Sequence, residues 1–450
     1  MSTKRKANDM ANAAIAGSAT GAVEETMPSS KLTLVRNHAE IMAACAAGQI
    51  DTVLALLEAA AADDGAADDG ITKRDSYYES GKTTDNIDPR HLLAAHQDPS
   101  TGLSPLMVAA RHGNLDICGV LLEAGAPWNA VDRFDKCAGD HATENSHWGV
   151  VNFLVEAGTK AELILGASIR LAKQLGRSND NIGQTSGALF RPKSNSTHDG
   201  HEQESKKAVI AASSIAKTIP TSHESCTKPD YLQHTNVRYN ASNTILLDDD
   251  DDAVMMEWER PLMNAHANIL THNGTEQKRV LNIGFGLGII DTAFQSYDPT
   301  LHVIIEAHPT VYEKMVKDGW DKKKNVRICY GRWQDELPKL IEEGLEFDGV
   351  FYDTYGEHFT DLEDFHELMT KVLQKPEGIY SFFNGLAPDN LFFHGVACNC
   401  VKIQLSHLGL DAEFAQCEIQ VNEEEWKDVR RKYWHGRETY YLPIVTWKKD

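Results

Sequence analysis

Residues 280–291 read Val280-Leu-Asn-Ile-Gly-Phe-Gly-Leu-Gly-Ile-Ile-Asp291. The stretch opens as a short apolar run with β-branched members, the pattern of a buried strand. Three glycines follow, Gly284, Gly286 and Gly288. They allow a tight turn and leave room for a ligand against the backbone. Residues 289–294 can then start a helix whose free N–H groups face the turn. A second apolar strand, His302-Val-Ile-Ile-Glu306, ends on a carboxylate. In a strand–loop–helix–strand unit, an acid about 20 residues past the glycines can accept both hydroxyls of a ribose. The unit therefore reads as a nucleoside-cofactor site at the carboxyl edge of a parallel sheet. Its spacing is Gly-x-Gly-x-Gly, neither the dinucleotide pattern nor a phosphate loop ending in Gly-Lys-Ser/Thr. That favours S-adenosyl-L-methionine, which carries no phosphate, over NAD or ATP.

Strands and helices alternate from about residue 230 to the end. Phe347-Asp-Gly-Val-Phe-Tyr-Asp353 is another apolar strand ending on an acid. A helix is expected over 362–373, a turn at Lys375-Pro-Glu-Gly378 and a strand over 379–383. Such alternation with right-handed crossovers gives a doubly wound, Rossmann-like α/β sheet, which binds ligands outside its strand carboxyl ends. Gly284, Glu306 and Asp353 all fall at such ends, so one cleft can hold all three. Gly331-Arg-Trp-Gln-Asp335 follows a short strand over 326–329 and brings an aromatic and an amide to a strand end, suited to an adenine. Trp333 taken alone also reads as plain core.

Two acids are candidates for substrate contact, Glu259 in Trp258-Glu-Arg-Pro-Leu-Met and Asp353 in Tyr352-Asp-Thr-Tyr355. An ion pair with Arg260 is the alternative for Glu259, and a helix N-cap is the alternative for Asp353. Two converging carboxylates suit a guanidinium, whose planar fork pairs with them bidentately. Deprotonating a guanidinium of pKa about 13 at pH 7 costs about 8 kcal/mol, at roughly 1.4 kcal/mol per unit. A carboxylate that takes the proton as the N–C bond forms avoids most of that cost. In-line alignment of nitrogen, methyl and sulfur supplies the rest. The sulfonium leaves as a neutral sulfide, so no oxyanion hole is required.

The front of the chain repeats itself. Ala109-Ala-Arg-His-Gly-Asn-Leu followed by Val120-Leu-Leu-Glu-Ala-Gly-Ala returns as Ala142-Thr-Glu-Asn-Ser-His-Trp followed by Phe153-Leu-Val-Glu-Ala-Gly-Thr, about one ankyrin period later. An earlier copy lies at Ala43-Ala-Cys-Ala-Ala-Gly-Gln-Ile and Val53-Leu-Ala-Leu-Leu-Glu-Ala, behind an acidic insert at about 60–100. Ser104-Pro-Leu-Met-Val-Ala109 is similar to the helix-opening signature of ankyrin repeats. Each unit buries its face only by stacking on neighbours. Such a module reads either as a docking surface or as a structural cap. The expected organisation is a disordered tail over 1–34, ankyrin-like repeats over 35–165, a linker over 166–229 with one helix near 206–219, and the α/β domain over 230–450.

The formal charge is −22, with 66 acids against 44 bases, which argues against a nucleic-acid surface and fits a basic partner. The acidic run 248–252 reads as a solvated loop, with attraction of a basic substrate as the alternative. The eight cysteines form no Cys-x-x-Cys pair, so neither a zinc site nor a disulfide framework is indicated. Cys398-Asn-Cys400 reads as helix packing. Reduced thiols, no secretory signal, no membrane span and a cytoplasmic and nuclear location are the expectations.

Val254-Met-Met-Glu-Trp-Glu-Arg-Pro-Leu-Met, Leu281-Asn-Ile-Gly-Phe-Gly-Leu-Gly, Ile305-Glu-Ala-His, Gly331-Arg-Trp-Gln-Asp and Phe351-Tyr-Asp-Thr-Tyr together resemble guanidinoacetate methyltransferase. With the ankyrin-like front, the chain is similar to the fungal protein arginine N5-methyltransferase family (type IV). The resemblance covers about 35–450. It implies transfer of a methyl group from S-adenosyl-L-methionine to the internal δ-nitrogen of arginine in a protein substrate. It also implies that Glu259 and Asp353 hold the guanidino group. Cofactor contacts carry over to Met255, Gly284, Phe285, Gly286, Leu287, Gly288, Ile289, Ile290, Glu306, Ala307, His308, Trp333, Gln334 and Asp353. An upstream aromatic contact matches Tyr231, with Tyr239 the alternative. Asp353 stands in both sets, and its main role is left open at this point.

Overall fold

The structure, a computed structural model, describes residues 29–62, 88–174, 231–271, 278–355, 359–434 and 438–449. It divides into two compact units between Leu154 and Val155. The first unit is helical: α1 Ser29–Ala47, α2 Ile50–Ala62, α3 Pro89–Ala95, α4 Pro105–Arg111, α5 Leu115–Glu123, α6 Ala138–Glu144 and the start of α7 Trp148–Gln174. The repeat signature caps α4 as expected. Ser104 Oγ accepts the Met107 N–H at 3.3 Å, and Pro105 occupies the first turn, where no N–H is needed. Asn114, in the turn between α4 and α5, reaches back to the first copy, donating from Nδ2 to the Cys45 carbonyl at 2.6 Å. Buried Met107, Val108, Ala109 and Ala110 on α4 and Ile117, Cys118 and Leu121 on α5 supply the stacking face.

Two boundaries differ from expectation. Helix α1 opens at Ser29, so residues 29–34 belong to it rather than to a tail. Helix α7 continues through 165/166 to Gln174. Its second half has partners in the second unit: Asn399 Nδ2 donates to Thr159 Oγ1 at 3.1 Å and Arg170 donates to Glu363 at 2.7 Å. Residues 1–28, the middle of the acidic insert and the helix expected near 206–219 lie outside the described residues.

The second unit continues with α8 Tyr231–His234, β1 Val237–Tyr239, β2 Ile245–Asp248, β3 Ala253–Met256, α9 Arg260–Thr271, β4 Arg279–Ile283, α10 Ile289–Gln295, β5 Leu301–Glu306, α11 Pro309–Lys317, β6 Val326–Tyr330, α12 Trp333–Glu342, β7 Gly349–Tyr352, α13 Phe359–Met369, β8 Ile379–Phe382, α14 Leu391–His407, β9 Leu410–Glu418 and β10 Thr439–Trp447. The main sheet has seven strands in the order β6-β5-β4-β7-β8-β10-β9. The first five are parallel and β10 is antiparallel to both neighbours. Strands β1–β3 form a separate antiparallel sheet.

The parallel strands are apolar on both faces because both are covered. Leu281, Ile283, Val303, Ile305, Val350 and Tyr352 point to one side, among Leu337, Leu340, Phe365, Met369, Val401 and Leu405 of α12, α13 and α14. Val280, Ile304 and Phe351 point to the other, among Met263, Ala267, Leu270, Ile290, Phe294 and Met315 of α9, α10 and α11. Strand order reverses at the β4–β7 boundary: the chain winds β4, β5, β6 one way, then returns to place β7 and β8 on the other side of β4. Such a switch point leaves a crevice at the strand carboxyl ends.

Candidate active site

Ile283 at the end of β4 pairs with Ile305 of β5 and Tyr352 of β7. The next residues, Gly284, Glu306 and Asp353, therefore emerge side by side at the switch point. The Gly284 N–H donates to the Ile305 carbonyl at 2.9 Å and the Asp353 N–H donates to the Ile283 carbonyl at 3.0 Å. Gly284 has φ +91°, and a Cβ there would run into the Asp353 carbonyl oxygen. Gly286 has φ +55°, and a Cβ there would lie 2.6 Å from Met255 Sδ. The glycines thus set a left-handed path that also presses the loop onto its neighbours. Leu287 N–H points at Met255 Sδ (3.3 Å), and Tyr239 Oη donates to the Gly286 carbonyl at 2.9 Å. Gly288, also left-handed, is the N-cap of α10. Helix α10 in turn contributes buried Ile289 and Ile290 to the core beneath the loop.

Glu306 closes this side. Its carboxylate accepts the Phe285 N–H at 2.8 Å and the His308 N–H at 2.6 Å, one on each oxygen. Burial raises its pKa, and these main-chain donors, together with the Ala307 N–H, partly offset that. Three main-chain donors leave part of the carboxylate's roughly four lone-pair positions open to a hydroxyl donor. His308 is buried and caps α11: Nδ1 accepts the Thr310 N–H at 3.2 Å, so Nε2 donates to the Thr235 carbonyl at 2.9 Å. Under the loop, Asn282 Nδ2 donates to the Gly284 carbonyl at 2.8 Å and to Asp291 at 2.9 Å. Gln295 Nε2 donates to His302 Nδ1 at 3.0 Å, so His302 Nε2 donates to Asp291 Oδ1 at 3.0 Å. Asn282, Asp291 and His302 are fully buried, and nothing in the motif reading had singled them out.

Asp353 abuts this loop through its main-chain carbonyl, and Glu259 lies near enough to feel the Asp353 charge. Glu259 ends a 3-10 turn, Glu257–Glu259, between β3 and α9 and is buried. Its Oε1 accepts the Met256 N–H at 2.9 Å and the Tyr433 hydroxyl. Arg260 pairs with Glu257 instead, so the alternative ion pair with Glu259 does not form. Asp353 is not a helix cap either, since the next helix starts at Phe359. Both acids are raised above the usual carboxylate range: Glu259 by burial first and then by the Asp353 charge, and Asp353 by burial. Among the described residues, no donor is bonded to the Asp353 carboxylate, whereas Glu259 has two. The sequence missed Tyr433; its signal was the basic–aromatic run Arg430-Arg-Lys-Tyr-Trp434.

That run explains a correction. The acidic stretch 248–252 is a solvated turn only in its middle: Asp249, Asp250 and Asp251 are exposed, but Asp248 and Asp252 are 3% and 5% exposed. Asp252 accepts from Arg430 Nε at 3.0 Å and from Arg431. Burial pushes Asp252 up, but the two guanidinium groups outweigh it and hold its pKa below the ordinary value. Asp248 Oδ2 accepts the Tyr355 hydroxyl at 2.7 Å. One acidic turn therefore tethers both the 353–355 loop and the 430–434 segment that brings Tyr433 to Glu259. Further in, Asn384 N–H donates to Tyr440 Oη at 2.7 Å, Tyr440 Oη donates to His266 Nε2 at 2.9 Å, and His266 Nδ1 donates to Ser381 Oγ at 2.8 Å. Burial lowers the His266 pKa to about 3, so this chain is neutral.

Trp333 opens α12 and packs in the core, 5.3 Å from the Phe365 ring and 6.3 Å from Tyr352. Gln334 follows it on α12, half-buried. Tyr231 opens α8, but its side chain lies outside the described residues; Tyr239 is the aromatic bonded to the glycine loop. Among the described residues, no cluster of metal-ligating side chains is found, and no helix is long and apolar enough to cross a membrane.

Comparison with known proteins agrees with this layout. The guanidinoacetate N-methyltransferase family profile matches residues 218–430, and the ankyrin repeat profile matches 101–133. Protein arginine N-methyltransferase 2 of Candida glabrata is 33% identical over 371 residues, covering 78% of this chain and 85% of that one. The Saccharomyces cerevisiae protein of the same name is 32% identical over 372 residues, covering 81% and 84%. The Yarrowia lipolytica protein is 31% identical over 426 residues, covering 83% and 87%. At 31–33% identity over more than three quarters of both chains, this chain belongs to the protein arginine N-methyltransferase 2 family.

Proposed function

We propose that this protein transfers a methyl group from S-adenosyl-L-methionine to the internal δ-nitrogen of arginine residues in proteins. The observation that carries the reading is the acid pair. Two neighbouring carboxylates, Glu259 buried and Asp353 half-buried, with the Asp353 charge raising the proton affinity of Glu259, are costly alone and call for a cation between them. A guanidinium fits, because each acid can take one edge of its fork. Glu259, held by Met256 and Tyr433, is the fixed anchor. Asp353, on whose carboxylate no donor is bonded among the described residues, has its lone pairs open to the substrate and takes the proton as the new bond forms. Its raised affinity suits a base working near neutral pH.

The residues around the loop fit the cofactor. Glu306 offers lone pairs to ribose hydroxyls, and Met255, Phe285, Gly286, Leu287, Gly288, Ile289 and Ile290 would line its apolar body. Ala307, His308, Trp333 and Gln334 would flank the base. When bound, S-adenosyl-L-methionine supplies an electrophilic methyl group on a sulfonium. The acids nearby favour that positive charge over the neutral product, which helps release. The acceptor is a protein, and the ankyrin-like unit is its docking surface.

The test is mass spectrometry of the product after incubation with labelled cofactor and either protein extract or guanidinoacetate. Fragmentation that separates δ from terminal nitrogens should place the label on δ. Label confined to guanidinoacetate, or to terminal nitrogens, overturns the assignment.

A further inference from the structure

Helix α14 carries a nucleophile and a base one turn apart that methyl transfer does not use. His394 Nδ1 lies 2.5 Å from the Leu386 carbonyl. A carbonyl only accepts, so Nδ1 bears the proton and Nε2 presents a lone pair. That lone pair lies 3.6 Å from Cys398 Sγ. Asn384 supplies the third member. Its Nδ2 has two N–H bonds: one goes to the Tyr441 carbonyl at 2.7 Å and the other points at Cys398 Sγ at 3.5 Å. The sulfur thus has the fixed imidazole at 3.6 Å as the nearer acceptor for its proton, with Asn384 Oδ1 at 4.0 Å the other, and receives an amide donor suited to a thiolate. Asn384 is itself anchored, its main-chain N–H held on Tyr440 Oη at 2.7 Å. A nucleophile within reach of a base that a third group orients is the arrangement that activates thiols.

The other cysteines among the described residues sharpen the contrast. Cys45, Cys118, Cys137, Cys329 and Cys400 are buried, and Cys400 faces the Thr159 carbonyl. Cys417, on β9, has the same half-buried exposure as Cys398, and burial raises its pKa. We infer that Cys398 is a nucleophilic thiol and a site of modification by hydroperoxides. In the step, the sulfur passes its proton to His394 Nε2 and attacks one peroxide oxygen. The O–O bond breaks, and the leaving hydroxide takes the proton back as water. Sulfur is oxidised by two electrons to a sulfenic acid and the peroxide is reduced. Helix packing, the reading of Cys398-Asn-Cys400 from sequence, then holds for Cys400 alone.

The test uses the full chain, with hydrogen peroxide as oxidant and a diketone to trap sulfenic acid, read peptide by peptide. Iodoacetamide alkylation across pH supplies the thiolate titration. Cys398 should react about tenfold faster than Cys417 at pH 7, with a rate midpoint below the ordinary thiol value of about 8.5. His394→Gln should bring its rate down to that of Cys417. A midpoint at or above that of an ordinary thiol, measured on the unsubstituted chain, overturns the inference whether or not the variant folds. Equal rates at Cys398 and Cys417, or an unchanged rate in His394→Gln, overturn it as well.

Discussion

The wall of the crevice that carries the glycines is assembled from residues 280–308, largely by main-chain hydrogen bonds between adjacent strands. The opposite wall draws on 248–259, 353–355 and 430–440, and side chains hold it: Tyr433 on Glu259, Tyr355 on Asp248, Arg430 and Arg431 on Asp252. The first wall needs a short continuous stretch of sequence, while the second exists only once distant segments meet. The cofactor side should therefore respond to changes in backbone, and the acceptor side to changes in single polar groups. The largest effect expected is on the acceptor side. Asp353→Asn keeps the shape and removes the base, so kcat should fall by about 10²–10⁴-fold. Its effect on stability should have the opposite sign. A carboxyl whose folded pKa lies above its unfolded value contributes stability that is present at low pH and lost as pH rises through the folded value. Burial raises Asp353 to about 7 in this way, so the variant's melting temperature should equal or exceed that of the unsubstituted protein at neutral pH, with the gap growing as pH rises toward 7 and level above it. Retained turnover, or a large loss of stability at neutral pH, would show that Asp353 is a structural group.

The same contrast explains what could be read in advance. The α/β sheet and the convergence of Gly284, Glu306 and Asp353 follow from short apolar strands ending in glycine or acid, because strand carboxyl ends share one edge. Glu259 and Asp353 were visible as acids in distinctive surroundings. The residues that hold them were not, since Tyr433 lies 174 positions from Glu259 in sequence and no local pattern announces the contact. Within the acidic run 248–252 the two ends misled for a related reason: a charge looks solvated until its partners, here Arg430 and Arg431 on Asp252 and Tyr355 on Asp248, are known. Asn282, Asp291 and His302 were hidden because they are polar residues inside an otherwise apolar strand–helix–strand unit. On the glycine wall, Gly286→Ala tests the backbone dependence directly. Holding alanine at φ +55° against Met255 costs about 1–3 kcal/mol, which corresponds to roughly ten- to hundredfold weaker cofactor binding by calorimetry. Unchanged binding would mean that the loop is free to move, contrary to its tight seating.

Tyr433→Phe removes one hydroxyl from the acceptor wall and leaves the glycine wall intact. A hydrogen bond to a charged group contributes about 1.5 kcal/mol, so KM for the acceptor should rise about tenfold while cofactor binding is unchanged. The hydroxyl also holds the Glu259 pKa down against burial. Without it Glu259 stays protonated to higher pH, so the KM defect should be worst at low pH and shrink as pH rises. A merely structural tyrosine would not move that profile. A defect in cofactor affinity instead would mean that the two walls are not separable.

Asp252→Asn should be the mildest change, and it asks whether the tether or the hydroxyl positions Glu259. The arginines it releases keep 45% and 27% of their side-chain surface in solvent, so water replaces much of what they lose. At about 1 kcal/mol for such a pair, acceptor KM should rise roughly fivefold, less than in Tyr433→Phe, and the difference should shrink with added salt, which screens the pair in the unsubstituted protein. An effect as large as that of Tyr433→Phe would mean that the 430–434 segment leaves Glu259 altogether when untethered. The acidic turn would then be part of the substrate site's framework rather than a support for it. No effect at all would mean that the aromatic packing of Tyr433 on Trp258, 5.7 Å between ring centroids, and on Trp426, at 5.1 Å, is sufficient to hold the segment. The double variant separates these cases, since a tether acting only through the tyrosine should add nothing once the hydroxyl is gone.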